Sequence, residues 1–210
     1  MSLSVIILSY KRPKNIGKVV ESVLQSTSLP EEIFVFNNNP EISLKVDNAI
    51  VINSGYNFGC KVRHAIGMCV DTSHVLFIDD DVMLKKTTIA DFENWASVYP
   101  DAILGLWGRK LAKGKKPYSQ AEGIGLDPVN AFEVDVVIGR VHYCKKEKLA
   151  LPFVGGHNTT EDDIALSLAN KKAGFKNYVI PSFGIKNLPS GEYSLCQRPD
   201  HFERRDKACL

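Results

Sequence analysis

Three consecutive carboxylates, Asp79-Asp80-Asp81, follow the apolar run Val75-Leu76-Phe77-Ile78. Like charges in a row repel one another and need a partner. At a strand end alternate side chains point to opposite sides, so Asp79 and Asp81 share one side and Asp80 takes the other. Hard oxygen ligands of this kind suit Mg²⁺ or Mn²⁺, with a substrate phosphate completing the octahedron. An exposed acidic turn is the plain alternative. Position directly after a near-continuous apolar strand favours metal binding over it. A second acidic group, Glu161-Asp162-Asp163, follows Thr159-Thr160. There a threonine N-cap and carboxylates in the first turn would complement a helix dipole without any chemistry. Ile164, Ala165 and Leu168 mark the buried stripe of that helix, which sets Glu161 nearer the core and Asp162 on another face. His157 stands just ahead of this cluster and His201 lies in a polar tail, whereas His64, His74 and His142 fall within helix or strand patterns as structural histidines do.

These groups need elements to hold them. Ser4 to Ser9 is a β-rich apolar run, fit for burial on both faces of a parallel sheet. Pro13 closes the turn, and Ile16, Val19, Val20, Val23 and Leu24 recur at helical spacing until Leu29-Pro30. Ile33 to Phe36 is a second strand stopped by Asn37-Asn38-Asn39-Pro40, and Ile50 to Ile52 a third. A helix from about Gly59 carries Val62, Ala65, Ile66 and Cys69, and Val75 to Ile78 is a fourth strand. The β-α-β order predicts an α/β sheet with right-handed crossovers, whose ligands bind at the carboxyl ends of the strands. Three strands end there in polar groups: Ser9-Tyr10, Asn37-Asn38 and the aspartates. Further on, the pattern predicts a helix over 87–98, a strand over 102–107, a flexible loop over 110–125, a strand over 134–143, a helix over 160–172, a short strand over 178–180 and an irregular tail from Pro189.

Composition narrows the class. The chain has 210 residues, 44% hydrophobic and 24% charged, which excludes wholesale disorder. Twenty-six Lys and Arg against twenty-four Asp and Glu leave +2, without the basic excess of a nucleic-acid binder. Five cysteines in no C-x-x-C spacing favour a reducing compartment over zinc or a disulfide framework. No apolar run approaches the ~20 residues of a membrane span, and Val5 to Leu8 is too short for a signal core. The expectation is a cytoplasmic protein of one domain, with a nucleotide-binding half over about 1–110 and an acceptor half over about 111–210.

Phe77-Ile78-Asp79-Asp80-Asp81-Val82 resembles the DxD motif of GT-A-fold, nucleotide-sugar-dependent glycosyltransferases. Ser4 to Arg12 resembles their first strand and nucleotide loop, and Phe34-Val35-Phe36-Asn37-Asn38 the second strand of the exostosin-like branch. Phe92 to Arg109 is similar to that branch's segment after the aspartates, and Thr160 to Ile164 to the acidic helix start bearing its late carboxylate. Five motifs in order are more specific than any one of them. The resemblance implies a Rossmann-like, mostly parallel sheet, a UDP-sugar donor, a glycan or other hydroxyl acceptor and Mn²⁺ or Mg²⁺. It implies Asp81 as metal ligand, helped by Asp79 and a late histidine such as His201, with Asp79 or Asp80 near the ribose or donor sugar. Ser9 belongs to the nucleotide loop, Tyr10 would stack on the base, and Asn37 or Asn38 would bond its edge. Arg12, Lys61 and Arg63 would neutralise phosphate. Trp107 and Arg109 would line the sugar or acceptor pocket, and the 110–125 loop could close over the donor. Among the late carboxylates an inverting reaction needs a general base. The exostosin-like match points to Asp163 and the "ED" of inverting families to Asp162; Asp163 is placed first, with Glu161 beside it. Such a unit can also belong to a longer polypeptide with further domains.

Rival readings fit less well. A dehalogenase-type phosphatase uses a DxD followed by Gly-Thr near the N-terminus, whereas Val82-Met83 stands here after three strand-like segments. A sugar-nucleotide pyrophosphorylase needs a glycine-rich phosphate loop, and Ser9 to Lys14 contains no glycine. A catalytically silent sugar-nucleotide-binding module would keep the aspartates without turnover.

Overall fold

The computed structural model describes residues 1–125, 129–154, 161–182, 185–191 and 194–210. The first half runs β1 (Leu3–Ser9), α1 (Pro13–Leu24), β2 (Glu32–Asn37), β3 (Ile50–Asn53), α2 (Val62–Cys69), β4 (His74–Asp79), β5 (Val82–Leu84) and α3 (Thr88–Val98). The second half runs β6 (Ile103–Gly105), β7 (Gly108–Lys110), β8 (Glu122–Ile124), β9 (Phe132–Val134), β10 (Val136–Val137), β11 (Val141–Lys145), α4 (Leu151–Val154), α5 (Asp162–Lys172), β12 (Asn177–Val179), β13 (Ile185–Asn187) and α6 (His201–Ala208).

Among the described residues the main sheet has the order β3-β2-β1-β4-β11-β6-β12-β9. Its first four strands are parallel, joined through β1–β2, β1–β4 and β2–β3. This is the mixed, mostly parallel α/β architecture that the strand-helix alternation predicts. Every residue of β1 is buried, because the strand has neighbours on both edges and layers on both faces. One layer rests on Ile16, Val19, Val20 and Val23 of α1 with Ile89 and Phe92 of α3; the other includes Phe77, Leu149 and Leu166. From β1 the chain moves to β2 on one side and returns to β4 on the other. By the general rule for such sheets, that reversal marks the carboxyl ends of β1 and β4 as the ligand crevice.

Three expectations change in detail, and one strand pairing is new. The strand expected over 134–143 is three strands, since the chain crosses between sheets there: β9 pairs with β12, β10 with β7 and β11 with β4 and β6. A sequence keeps its alternation through such a crossing, so only the pairing reveals it. The 110–125 loop contains β8, paired with β7. The polar tail contains α6, a helix whose HFERRDKA sequence lacks an apolar stripe and which ion pairs hold in place. Finally, β5 pairs with β13, two three-residue strands too short for periodicity to announce. His157, Thr159 and Thr160 lie outside the described residues.

Candidate active site

Tyr10 and Arg12, just after β1, meet Asp80, just after β4. The Tyr10 backbone N–H donates to Asp80 Oδ2 at 2.8 Å, and the Arg12 guanidinium pairs with Asp80 Oδ1. Arg12 also reaches Asp81 Oδ2 at 3.7 Å, and its Nε–H donates to the Ser190 carbonyl, tying the chain after β13 over the crevice. Between them Lys11 takes φ +59, a left-handed turn that non-glycine residues seldom adopt. Burial raises the Asp80 carboxyl; the Tyr10 N–H and Arg12 oppose that rise.

Asp79 ends β4 opposite Arg140, whose carbonyl accepts the Asp79 N–H at 2.9 Å. Arg63, buried at the start of α2, binds Asp79 Oδ1 at 3.0 Å through Nη1 and lies 2.8 Å from Asp162 Oδ2 through Nε. It also donates to the carbonyls of Gly139 and Cys60. One guanidinium thus joins the aspartates of β4 to the acidic start of α5. Asp79 is nevertheless pushed up to about 7: burial raises it, Arg63 opposes, and Asp81, Asp80 and Asp162 add to the rise. Asp81 meets Arg140 Nη2 at 3.1 Å, and the same nitrogen donates to Asn187 Oδ1 at 3.0 Å. The Arg140 guanidinium lies over the Trp107 ring at 5.1 Å.

The three late carboxylates differ in their partners. Asp163 Oδ2 accepts from the Gly139 N–H at 3.1 Å and from Arg205 at 2.7 Å, and Oδ1 accepts from the Ile164 N–H at 2.9 Å. Burial alone would raise Asp163, but Arg205 and the Gly139 N–H hold it below the usual carboxylate range. Gly139 is tight against it: a Cβ there would sit 3.2 Å from Asp163 Cβ. Glu161 pairs with Arg204 at 2.6 Å and Arg205 at 2.9 Å. Asp162 is buried, and its Oδ2 makes no hydrogen bond among the described residues despite the nearby Arg63 Nε. His64 Nε2 lies 3.8 Å from the same oxygen. Burial lowers His64 to about 4 and His142 well below its ordinary value, so both imidazoles are neutral at physiological pH.

Several predicted site residues serve other contacts. Asn37 is fully buried, its amide donating to Ile42 O and Asn53 Oδ1 and its carbonyl accepting from Asn39 N–H. Asn38 donates to Gly59 O and accepts from Phe58 N–H, stapling the loop before α2. Ser9 is buried, and its carbonyl takes the Asn38 N–H. Arg63 is buried, with Asp79, Asp162 and the carbonyls of Gly139 and Cys60 as partners. Lys61 stands at the N-terminus of α2. Trp107 is beside the aspartates through Arg140, whereas Arg109 lies over Tyr118 at 4.8 Å and donates to Ala121 O. His201 packs edge-on against Tyr118 and Phe202 and touches neither Asp79 nor Asp81. Sequence reasoning missed Arg140 and Arg205. Both are ordinary basic residues in the linear chain, and only pairing across β4–β11 and the docking of α6 give them a partner.

A divalent cation can be matched to this donor set. Among the described residues no three His, Cys, Asp or Glu side chains converge. Two carboxylates suffice, however, for an ion that takes its remaining oxygens from phosphate and water. Among the described residues Asp79 Oδ2 and Asp81 Oδ2 accept no hydrogen bond, Arg12 standing 3.7 Å from the latter, and the Asp79 side chain is 29% exposed. The model of the family described as "Glycosyl transferase family 2" matches residues 4–152, which include β1, β2, β4 and the aspartates but not the start of α5. No curated protein matches the chain. No helix among the described residues is long and apolar enough to cross a membrane.

Proposed function

The chain belongs to glycosyl transferase family 2 and is a glycosyltransferase that takes its sugar from a nucleotide-sugar donor; we propose that the donor is a UDP-sugar, the acceptor a glycan hydroxyl, and the reaction dependent on Mn²⁺ or Mg²⁺ held by Asp79 and Asp81. The observation that carries this reading is the junction at Arg63, which binds Asp79 at the end of β4 and Asp162 at the start of α5 with one side chain. A donor diphosphate at the first group and an acceptor hydroxyl at the second would stand next to each other. We read residues 1–110 as the nucleotide half and 111–210 as the acceptor half of one catalytic unit.

Asp162 is the general base in this reading. Asp163 spends its oxygens on Gly139, Ile164 and Arg205, and Glu161 is neutralised by Arg204 and Arg205. Those two frame the helix start, while Asp162 Oδ2 has no hydrogen bond among the described residues. It takes the acceptor proton as the acceptor oxygen attacks the anomeric carbon and the bond to the donor phosphate breaks. Displacement from the opposite face inverts the anomeric centre, which an NMR spectrum of the product reads directly. Tyr10 stacks on the base at the crevice, and Arg12 faces the phosphates with Asp80 as its anchor. A bound divalent cation supplies Lewis-acid neutralisation of the departing diphosphate.

Calorimetric titration of UDP with and without Mn²⁺, on wild type and Asp81→Ala, tests the reading. Binding that is absent, or indifferent to both metal and mutation, overturns it. Slow hydrolysis of a UDP-sugar then separates an enzyme from a silent binding module.

A further inference from the structure

Three arginines touch Asp79, Asp80 or Asp81, and their side chains differ in exposure: 5% for Arg63, 15% for Arg12 and 32% for Arg140. Among the described residues Arg63 commits three N–H groups to hydrogen bonds, and Arg12 and Arg140 two each. Arg63 spends Nη1 on Asp79 and Gly139 O and Nε on Cys60 O, with Asp162 beside it. Arg12 spends Nη1 on Asp80 and Nε on Ser190 O. Arg140 makes both of its hydrogen bonds through Nη2, to Asp81 and Asn187. A guanidinium carries five N–H donors. The donors on Nη1 and Nε of Arg140 therefore have no partner among the described residues, and Arg140 is the most exposed of the three side chains. The plane of the group is fixed from below by Trp107 and from one edge by Asp81 and Asn187. The backbone is fixed too, since the Arg140 carbonyl holds the Asp79 N–H. An oriented guanidinium with open donors, beside the carboxylate pair assigned to the cation, suits phosphate oxygens.

We propose that Arg140 is a diphosphate-binding residue of the donor site: its open N–H groups take oxygens of the nucleoside diphosphate while Nη2 stays on Asp81 and Asn187. This rests on the nucleotide-sugar reading and extends it, because the residue expected to neutralise phosphate from α2, Arg63, is buried and turned to Asp79, Gly139 and Cys60. Arg140 would hold the donor in place and stabilise the charge that grows on the leaving group.

The test is titration of UDP, UMP and uridine, with Mn²⁺ and separately with EDTA, on wild type, Arg140→Met and Arg140→Lys. Met keeps an apolar stem on Trp107, and Lys keeps the charge without the planar fork. The expected result is a 10- to 100-fold weaker Kd for UDP in Arg140→Met, a smaller loss for UMP and an unchanged Kd for uridine. Arg140→Lys falls between wild type and Arg140→Met, and it carries the comparison if Arg140→Met does not fold. Wild-type affinity for UDP in both variants, or an equal loss for UDP and uridine, overturns the assignment and leaves the transferase reading standing. If wild type binds no UDP with or without Mn²⁺, the assignment and the UDP-sugar reading fall together.

Discussion

Asp79 and His64 titrate in opposite senses and sit at the two ends of the Arg63 bridge. Asp79 is raised to about 7 against an unfolded value of about 3.9. Between those values the folded chain binds the extra proton, so this group's contribution to stability falls as pH rises from about 4 to about 7. His64 is lowered to about 4 against about 6.5 unfolded, so its contribution falls as pH drops through that window. Asp79→Asn removes the first effect. It should raise stability at pH 8 by about 1–2 kcal/mol, allowing for the partial exposure of Asp79 and the partner that Arg63 loses. At pH 5.5 the gain should shrink, because wild-type Asp79 is then protonated. Urea titrations at the two pH values check the gain and its decrease, and a gain independent of pH refutes the assignment. Catalysis has its own test at this scale. Asp162→Asn should lower kcat by about 10²–10⁴ while UDP affinity changes less than about twofold, since a base acts on the acceptor proton and not on the nucleotide. A comparable loss in Asp163→Asn with intact activity in Asp162→Asn would move the base back to Asp163. The sequence left those two side by side; only their hydrogen bonds tell them apart.

Among the elements, α6 shows most clearly what a linear reading misses. Its eight residues carry no apolar stripe, yet Arg204 and Arg205 reach Glu161 and Asp163, and Asp206 accepts from the Tyr118 and Ser119 N–H groups and the Ser119 hydroxyl. The Arg205 guanidinium lies 4.3 Å from the Tyr118 ring. The helix therefore pins the loop after β7 to the start of α5. Arg205→Met should destabilise the protein by about 3–5 kcal/mol, because it leaves Glu161 and Asp163 buried with less counter-charge. Denaturant unfolding measures it, and a loss under 1 kcal/mol would show that the pairing is incidental. By contrast, α1 was legible residue by residue. Pro13 opens it, and Ile16, Val19, Val20 and Val23 are buried as the helical spacing requires. The late strands were legible as β but not as separate strands, because alternation survives when β9, β10 and β11 change partners.

Across the whole molecule the near-neutral charge of +2 hides a concentrated centre. Six carboxylates, Asp79 to Asp81 and Glu161 to Asp163, face Arg12, Arg63, Arg140, Arg204 and Arg205. The surrounding sheet supplies rigidity unevenly. β1 is buried throughout between β2 and β4, whereas β13 is partly exposed and pairs with a three-residue strand. Hydrogen exchange should therefore be slowest in β1 and β4 and at least a hundredfold faster in β13, with Asn187 opening well before Asp79. Equal protection in both would mean that the crevice is framed as rigidly as the core. The sequence by itself determined the parallel half of the sheet and the placement of the aspartates at its carboxyl edge, because apolar runs, turn residues and helical spacing are local properties of the chain. The tertiary structure alone decided which arginine meets which carboxylate, that Asn37 and Asn38 are loop staples, and that among the described residues both Asp163 oxygens are hydrogen-bonded while Asp162 Oδ2 is not. Those outcomes depend on groups tens of residues apart, brought together by strand order and the docking of a charged helix, and no local pattern records them.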